Sequence, residues 1–268
     1  LNGDGNGGFT RETDLVIPGN NYITGLTGVS DSGFPKPVFS FTVYRPLGST
    51  ADDVAVTYAT TTTVRFLHAD GAGRLAVMAT TELPAPVHQL EAADVRAGAG
   101  SRAGLPALVA AGTYSNEIYY TTAGPPAPGP GVLWSWGKLR IEGLPRSVKV
   151  ADFNGDGRKD LAVIHRAYNM MSLYSQAADM SFSRSESRPV GRSPRDIVLE
   201  DFNHNGKPDA VVLCRYANSV SFISDFPGVP VLSRPGIYPG GKGIQSTRIA
   251  DLNHDGLQDL LVLDAVKE

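Results

Sequence analysis

"DFNGDGRKD", residues 152–160, is the stretch on which the reading of this chain turns. Asp152, Asn154, Asp156 and Asp160 place oxygen-bearing side chains at the first, third, fifth and ninth positions of a loop whose sixth residue is Gly157. Side chains at alternate positions of a tightly curved loop converge on one point, and the glycine permits the sharp turn. Hard cations such as calcium take six to eight oxygens at about 2.3–2.6 Å from such loops. In this reading Arg158 adds its backbone carbonyl and Asp160 a closing carboxylate. An EF-hand is excluded, because position twelve is Val163 inside an apolar run and not a bidentate Glu.

The pattern recurs as "DFNHNGKPD" from 201 and "DLNHDGLQD" from 251, steps of 49 and 50 residues. The same roles fall on Asp201, Asn203, Asn205, Lys207 and Asp209, and on Asp251, Asn253, Asp255, Leu257 and Asp259, so up to three Ca2+ sites are expected. The middle loop has two carboxylates where the others have three and is expected to bind most weakly. For any single loop a metal-free turn rich in Asn and Asp is the alternative, since turns favour these residues anyway. Three loops in register, each with Asp at position nine, favour the cation.

A period near 50 residues marks a repeat architecture. "PRSVKVADFNGDGRKDLAVIHRAYNMMSLYS" from Pro145 and "PRDIVLEDFNHNGKPDAVVLCRYANSVSFIS" from Pro194 align without a gap, with Arg166 over Arg215 and Asn169 over Asn218. In each unit a strand of period-two alternation runs into the acidic loop. A continuous apolar strand follows ("LAVI", "AVVL", "LLVL"), as expected for one covered on both faces. An amphipathic third strand comes next ("MMSLYS", "SVSFIS"), and "SFSRSESR" offers an outer fourth. Antiparallel units of this length predict an all-β chain of propeller blades packed radially. A solenoid is the competing geometry, but its usual repeats are shorter or helical.

The D-x-N-x-[DN]-G-x-x-D loop followed by an apolar strand resembles the FG-GAP, or VCBS, repeat. The resemblance covers residues 145–268 and fades over 1–144. It implies a calcium-dressed β-propeller, integrin-alpha-like and related to propeller lectins, usually extracellular and most often seven-bladed. The chain is expected to form one such domain, with residues 1–144 as degenerate, metal-poor blades and 145–268 as regular calcium-loop blades. Its 268 residues leave room for about five blades, so part of a larger propeller is expected. "DDVAV" at 52 and "LPALVAAG" at 105 read as second strands whose preceding loops have lost their acids, and "GPPAPGPG" at 124–131 as an inserted surface loop. "LNGDGNGGF" at the start reads as a turn after a third strand.

Bulk properties narrow the function. Net charge is −3, from 24 basic and 27 acidic residues without a block of one sign, which argues against a nucleic-acid partner. The apolar runs are strand-sized, far short of the roughly 20 residues of a membrane-spanning helix. A lone cysteine, Cys214, lies in an apolar run and reads as a small buried thiol. Cytosolic calcium would leave sites of extracellular affinity empty, so an extracellular, cell-surface or periplasmic setting is expected. The expected function is an interaction module presenting loops to a carbohydrate or protein partner. Trp134, Trp136, Tyr119, Tyr120, Tyr168 and Tyr216 are candidates for sugar stacking, against the alternative of blade packing. A structural subunit of a larger surface assembly and a polysaccharide-acting enzyme are the alternatives. His68, His88 and His165 show no local partnership with a nucleophile, and no G-x-S-x-G, H-E-x-x-H or phosphate loop occurs.

Overall fold

A computed structural model of the chain describes residues 35–44, 53–58, 61–69, 75–93, 95, 107–123, 135–224, 244–255 and 257–264, with short strands at 2–3, 9–10, 15–17, 21–23 and 27–29. The described residues form strands and turns without a helix. β1 (Asn2–Gly3) pairs with β2 (Phe9–Thr10), β3 (Leu15–Ile17) with β4 (Asn21–Ile23), and β5 (Thr27–Val29) with the start of β6 (Pro35–Tyr44). From β6 onward a regular rhythm sets in. Blade one comprises β6, β7 (Asp53–Tyr58), β8 (Thr63–Ala69) and β9 (Leu75–Glu82). Blade two is β10 (Val87–Ala92), β11 (Leu108–Gly112), β12 (Glu117–Ala123) and β13 (Ser135–Arg140). Blade three is β14 (Pro145–Ala151), β15 (Asp160–His165), β16 (Met170–Gln176) and β17 (Phe182–Pro189). Blade four shows β18 (Pro194–Glu200), β19 (Asp209–Cys214) and β20 (Ser219–Ile223), and blade five β21 (Ile244–Ala250) and β22 (Asp259–Asp264).

Every pairing within these sheets is antiparallel and sequential. The expected outer fourth strand in "SFSRSESR" is β17, and "DDVAV" and "LPALVAAG" supply the second strands β7 and β11. The "GPPAPGPG" segment, Trp134 and the acid-poor loops of blades one and two lie outside the described residues, apart from Ala93 and Val95.

The second strand of each blade explains the continuous apolar runs. In β15, Leu161 and Val163 join Val109, Ala111 and Ile118 in the core against blade two, while Ala162 and Ile164 join Ile197, Ala210 and Val212 in the core against blade four. In β19, Ala210, Val212 and Cys214 face blade three, and Val211 and Leu213 face Ile244 of blade five. Blades three and four are therefore slabs wetted on neither face near their middle, so period-two alternation disappears there; the matching "LLVL" of β22 does not follow, because Leu261, Val262 and Leu263 are exposed. Cys214 is fully buried as expected, and burial pushes its thiol pKa up.

The first strands of all five blades converge on one cavity of about 670 Å³, lined by Ser40–Val43, His88–Glu91, Arg146–Val150 without Val148, Arg195–Leu199 and Thr247–Ile249. Five inner edges around a shared space are the geometry of blades about an axis, and they exclude a linear stack. Neighbouring inner strands satisfy one another's free edges. Leu90 N donates to Ser40 Oγ (2.9 Å), Ala92 N to Thr42 Oγ1 (3.1 Å) and Val148 N to Gln89 Oε1 (2.6 Å). Lys149 Nζ meets Glu91 Oε2 at 2.7 Å.

Candidate functional site

The antiparallel order puts the connection between first and second strands at one end of every blade, and the turn between second and third strands at the other. The acidic loops 152–159 and 201–208 and the described residues 251–255, 257 and 258 of the third occupy the first end. Each curls around its leading aspartate. Asp152 Oδ1 accepts the N–H of Gly155 (2.7 Å) and Asp156 (3.1 Å), and its Oδ2 accepts Gly157 N–H (2.8 Å). Asp201 takes Asn205 N–H (3.0 Å) and Gly206 N–H (2.8 Å) in the same way, and Asp251 takes Asp255 N–H (3.2 Å). Asn154, Asn203 and Asn253 each accept the N–H two residues on, and so do Asp156, Asn205 and Asp255. These are Asx turns in series. The backbone needs left-handed dihedrals to follow them: φ is 82° at both Gly157 and Gly206, and at the fourth loop position 54° at His204 and 60° at His254.

The ninth position stands apart. Asp160 is wholly buried; its Oδ2 accepts Phe153 N–H (3.3 Å) and its Oδ1 accepts Gln176 N–H (2.9 Å) at the end of β16. One carboxylate thereby ties the loop to the third strand. Asp209 and Asp259 repeat the first bond with Phe202 N–H (3.0 Å) and Leu252 N–H (2.9 Å). Burial raises the Asp160 pKa, against the pull of its two N–H donors. The second position is a plug: Phe153 is fully buried between blades three and four, and Phe202 stacks edge-on against Phe222 at 5.5 Å.

Register exposes a fourth member that the acid pattern concealed. Asp160 pairs with Ala151, Asp209 with Glu200 and Asp259 with Ala250; in blade one Asp53 pairs with Tyr44 at the equivalent place. Asp53 is wholly buried and its Oδ1 lies 2.6 Å from His68 Nδ1. No loop signature precedes it, so position nine persists where the remaining oxygens are lost.

As a donor set, Asp152, Asn154 and Asp156 with their counterparts offer only oxygens, which fits a hard cation such as calcium. Among the described residues, no three His, Cys, Asp or Glu side chains are drawn into a preformed metal centre. In the first loop the Arg158 guanidinium already holds Asp156 Oδ2 (2.5 Å) while its Nε reaches Gln176 O (2.9 Å). Donation from Arg158 N–H, with Asn154 and the guanidinium assisting, keeps the Asp156 pKa low. Loops two and three carry Lys207 and Leu257 at this position, so the first loop alone carries this guanidinium clamp among the three.

At the opposite end, four-residue turns join second to third strands: "TYSN" at 113–116, "RAYN" at 166–169 and "RYAN" at 215–218. Asn116 Oδ1 accepts Leu144 N–H and Asn169 Oδ1 accepts Ser193 N–H, each at 2.9 Å, fastening the turn to the connector that enters the next blade. The aromatic residue within each turn points outward. Tyr114 is 84% exposed, Tyr168 60% and Tyr216 70%. Of the aromatic candidates, Tyr119 is buried and donates to Glu117 Oε2, Tyr120 packs edge-on against Phe182 at 5.3 Å, and Trp136 Nε1 donates to Glu82 O. These three are blade packing. Tyr168 and Tyr216 remain, and Tyr114 joins them; only its place in a turn of matching length and terminal Asn signals it in the sequence.

Residues 152–212 match the family described as FG-GAP-like repeat. No curated protein sequence matches the chain. Among solved structures, the chain is similar to the crystal structure of BBS1N in complex with ARL6DN, at 10% identity and a TM-score of 0.52, over 86% of this chain and 60% of that one. A protein from Lactobacillus plantarum aligns at 9% identity and a TM-score of 0.49, over 90% and 62%. The chain spans about 60% of the length of these structures. The likeness to BBS1N, an N-terminal propeller, together with the five radial sheets, identifies the fold as a β-propeller.

Proposed function

We propose that this propeller is an interaction module that docks a protein partner on the end bearing the second-to-third-strand turns. One observation carries the reading: three successive blades expose a tyrosine at the equivalent turn, where folding alone favours burial of so large a ring. Tyrosine supplies contact area at low entropic cost and is enriched at interface hot spots. The similar propeller BBS1N is itself seen in a complex with ARL6DN. To test the reading, a photo-crosslinking residue is placed at Tyr168, Tyr216 or, on the acidic end, Lys159. Adducts from the first two positions and not the third, abolished by Tyr114→Ala/Tyr168→Ala/Tyr216→Ala with an unchanged melt, are expected. Equal capture at both ends would refute it.

The acidic loops take a separate, structural role in this proposal. Calcium held by Asp152, Asn154 and Asp156, by Asp201, Asn203 and Asn205, and by Asp251, Asn253 and Asp255 would neutralise their charge and stiffen the loops. Carbonyls of Arg158, Lys207 and Leu257 and carboxylates of Asp160, Asp209 and Asp259 complete the donor sets. Sites that fill only at millimolar calcium would suit a setting outside the cytosol, which is part of this proposal. A carbohydrate partner is the second reading, favoured by the exposed rings of Tyr168 and Tyr216, on which the apolar face of a sugar can stack.

A further inference from the structure

The turn end carries a second feature. Five arginines, Arg146, Arg166, Arg192, Arg195 and Arg215, line one cavity of about 330 Å³ together with Asn169, Ser193, Pro194 and Tyr216. They arrive there by repetition. Arg146 and Arg195 each follow the proline that opens an inner strand, Arg166 and Arg215 each open a turn, and Arg192 sits in the connector between blades three and four. Among the described residues none of the five forms an ion pair; Arg146 instead donates through Nη1 to His88 Nδ1 at 2.8 Å. The nearest acids make no contact with the five: Asp196 attracts Arg146 only at a distance. Asp196 Oδ1 accepts Ile197 N–H (2.9 Å), with Ser147 Oγ at 3.4 Å, and Glu91 is paired with Lys149. The cluster repels itself: burial, then Arg195 and Arg166, lowers the Arg146 pKa, Asp196 partly offsets them, and Arg215 adds to the lowering. A chain of net charge −3 gathers like charges in this way at a cost in stability, which an anionic ligand would offset.

We propose that this cavity binds an acidic peptide segment of the partner, with carboxylates seated on the arginine forks and the peptide continuing toward the central channel. The proposal rests on the interaction-module reading and supplies its ligand class. Guanidinium groups match planar carboxylates bidentately, and five of them call for several carboxylates on one ligand. The cavity shares Arg146 and Arg195 with the 670 Å³ channel, so a narrow extended chain can pass from one to the other. A nucleic-acid duplex is too broad to enter, and a single inorganic oxyanion would leave most of the arginines uncompensated. Tyr216 stands on the rim, where it covers whatever enters.

The test is titration of the full chain with fluorescein-labelled hexaglutamate, followed by anisotropy. Saturable one-to-one binding is expected, weakening with salt and at least tenfold weaker in Arg166→Gln/Arg215→Gln. Both side chains lie at the surface end of turns, and an unchanged melt verifies that the variant folds. Arg192→Gln, in the connector, serves as an independent second variant with a smaller loss. Binding that is absent, or unchanged in both variants, overturns the proposal. So does displacement of the peptide by equimolar inorganic phosphate, which marks a small-anion site, or tighter binding of polygalacturonate, which marks an acidic glycan. If hexaglutamate fails while crosslinking from Tyr168 and Tyr216 persists, only the ligand class falls; if both fail, the docking end itself is wrong.

Discussion

Replacing Asp160 by alanine separates a structural carboxylate from a mere cation ligand. Its oxygens accept two buried N–H groups, from Phe153 and Gln176, and alanine leaves both without an acceptor. Each orphaned donor costs about 1–3 kcal/mol, so the loss is about 2–6 kcal/mol with or without calcium. At about 2 °C per kcal/mol for a chain of this size, the melt should fall by about 4–12 °C. A residue acting only as a ligand behaves otherwise: at a Kd of about 10⁻⁴ M, millimolar calcium contributes about 1.4 kcal/mol per site, and chelator removes all of it. Differential scanning calorimetry of wild type and Asp160→Ala in chelator distinguishes the two. Asp160→Asn, which retains one carbonyl acceptor, should lie between them. Coincident melts of wild type and Asp160→Ala in chelator would refute the lock and leave the ligand role standing.

Calcium itself should raise the wild-type melt relative to chelator, and Asp255→Ala should blunt that rise while changing the chelated melt little; a flat calcium titration sinks the cation proposal. His88 gives a pH signature: burial, then Arg146 and Arg166, depresses its pKa to about 4. The unfolded imidazole gains its proton near pH 6.5, so stability is lost as pH falls from about 6.5 toward 4. Urea midpoints at pH 7, 5.5 and 4.5 should show His88→Gln with a shallower decline than wild type. Gly191, in the connector between blades three and four, would place a Cβ 2.7 Å from Cys214 Cβ and 2.9 Å from its Sγ. Gly191→Ala should therefore destabilise by about 1–3 kcal/mol, read as a lower denaturant midpoint and faster thiol labelling of Cys214.

Blade order and strand roles were legible because they follow from period and burial. The run "LAVI" is a strand covered twice because blades two and four flank it, whereas "LLVL" carries the same pattern and leaves Leu261, Val262 and Leu263 exposed; "SFSRSESR" alternates as an outer strand must. Asp53 was hidden because the acid count of its loop collapses while the one position that locks a strand survives; register reveals it, spacing does not. The arginine cavity was half visible. Arg166 and Arg215 coincide in the alignment of the repeats, but their convergence with Arg146, Arg192 and Arg195 is a product of blade rotation. Nor does the sequence separate Tyr168 and Tyr216 from Tyr119 and Tyr120, since turn and strand tyrosines look alike until one set is packed. The tests of the loops remain chemical, because oxygens that curl a turn are the same oxygens that seat an ion.

With its loops free of calcium, the molecule carries excess carboxylates at one rim and guanidinium groups at the other, an end-to-end dipole that filling the loops would diminish. If the proposed acidic partner exists, that dipole would turn the molecule before contact, tyrosine rim first and loops behind. Orientation is then fixed by long-range torque rather than by trial contacts, and raising ionic strength should slow association more than it loosens the finished complex.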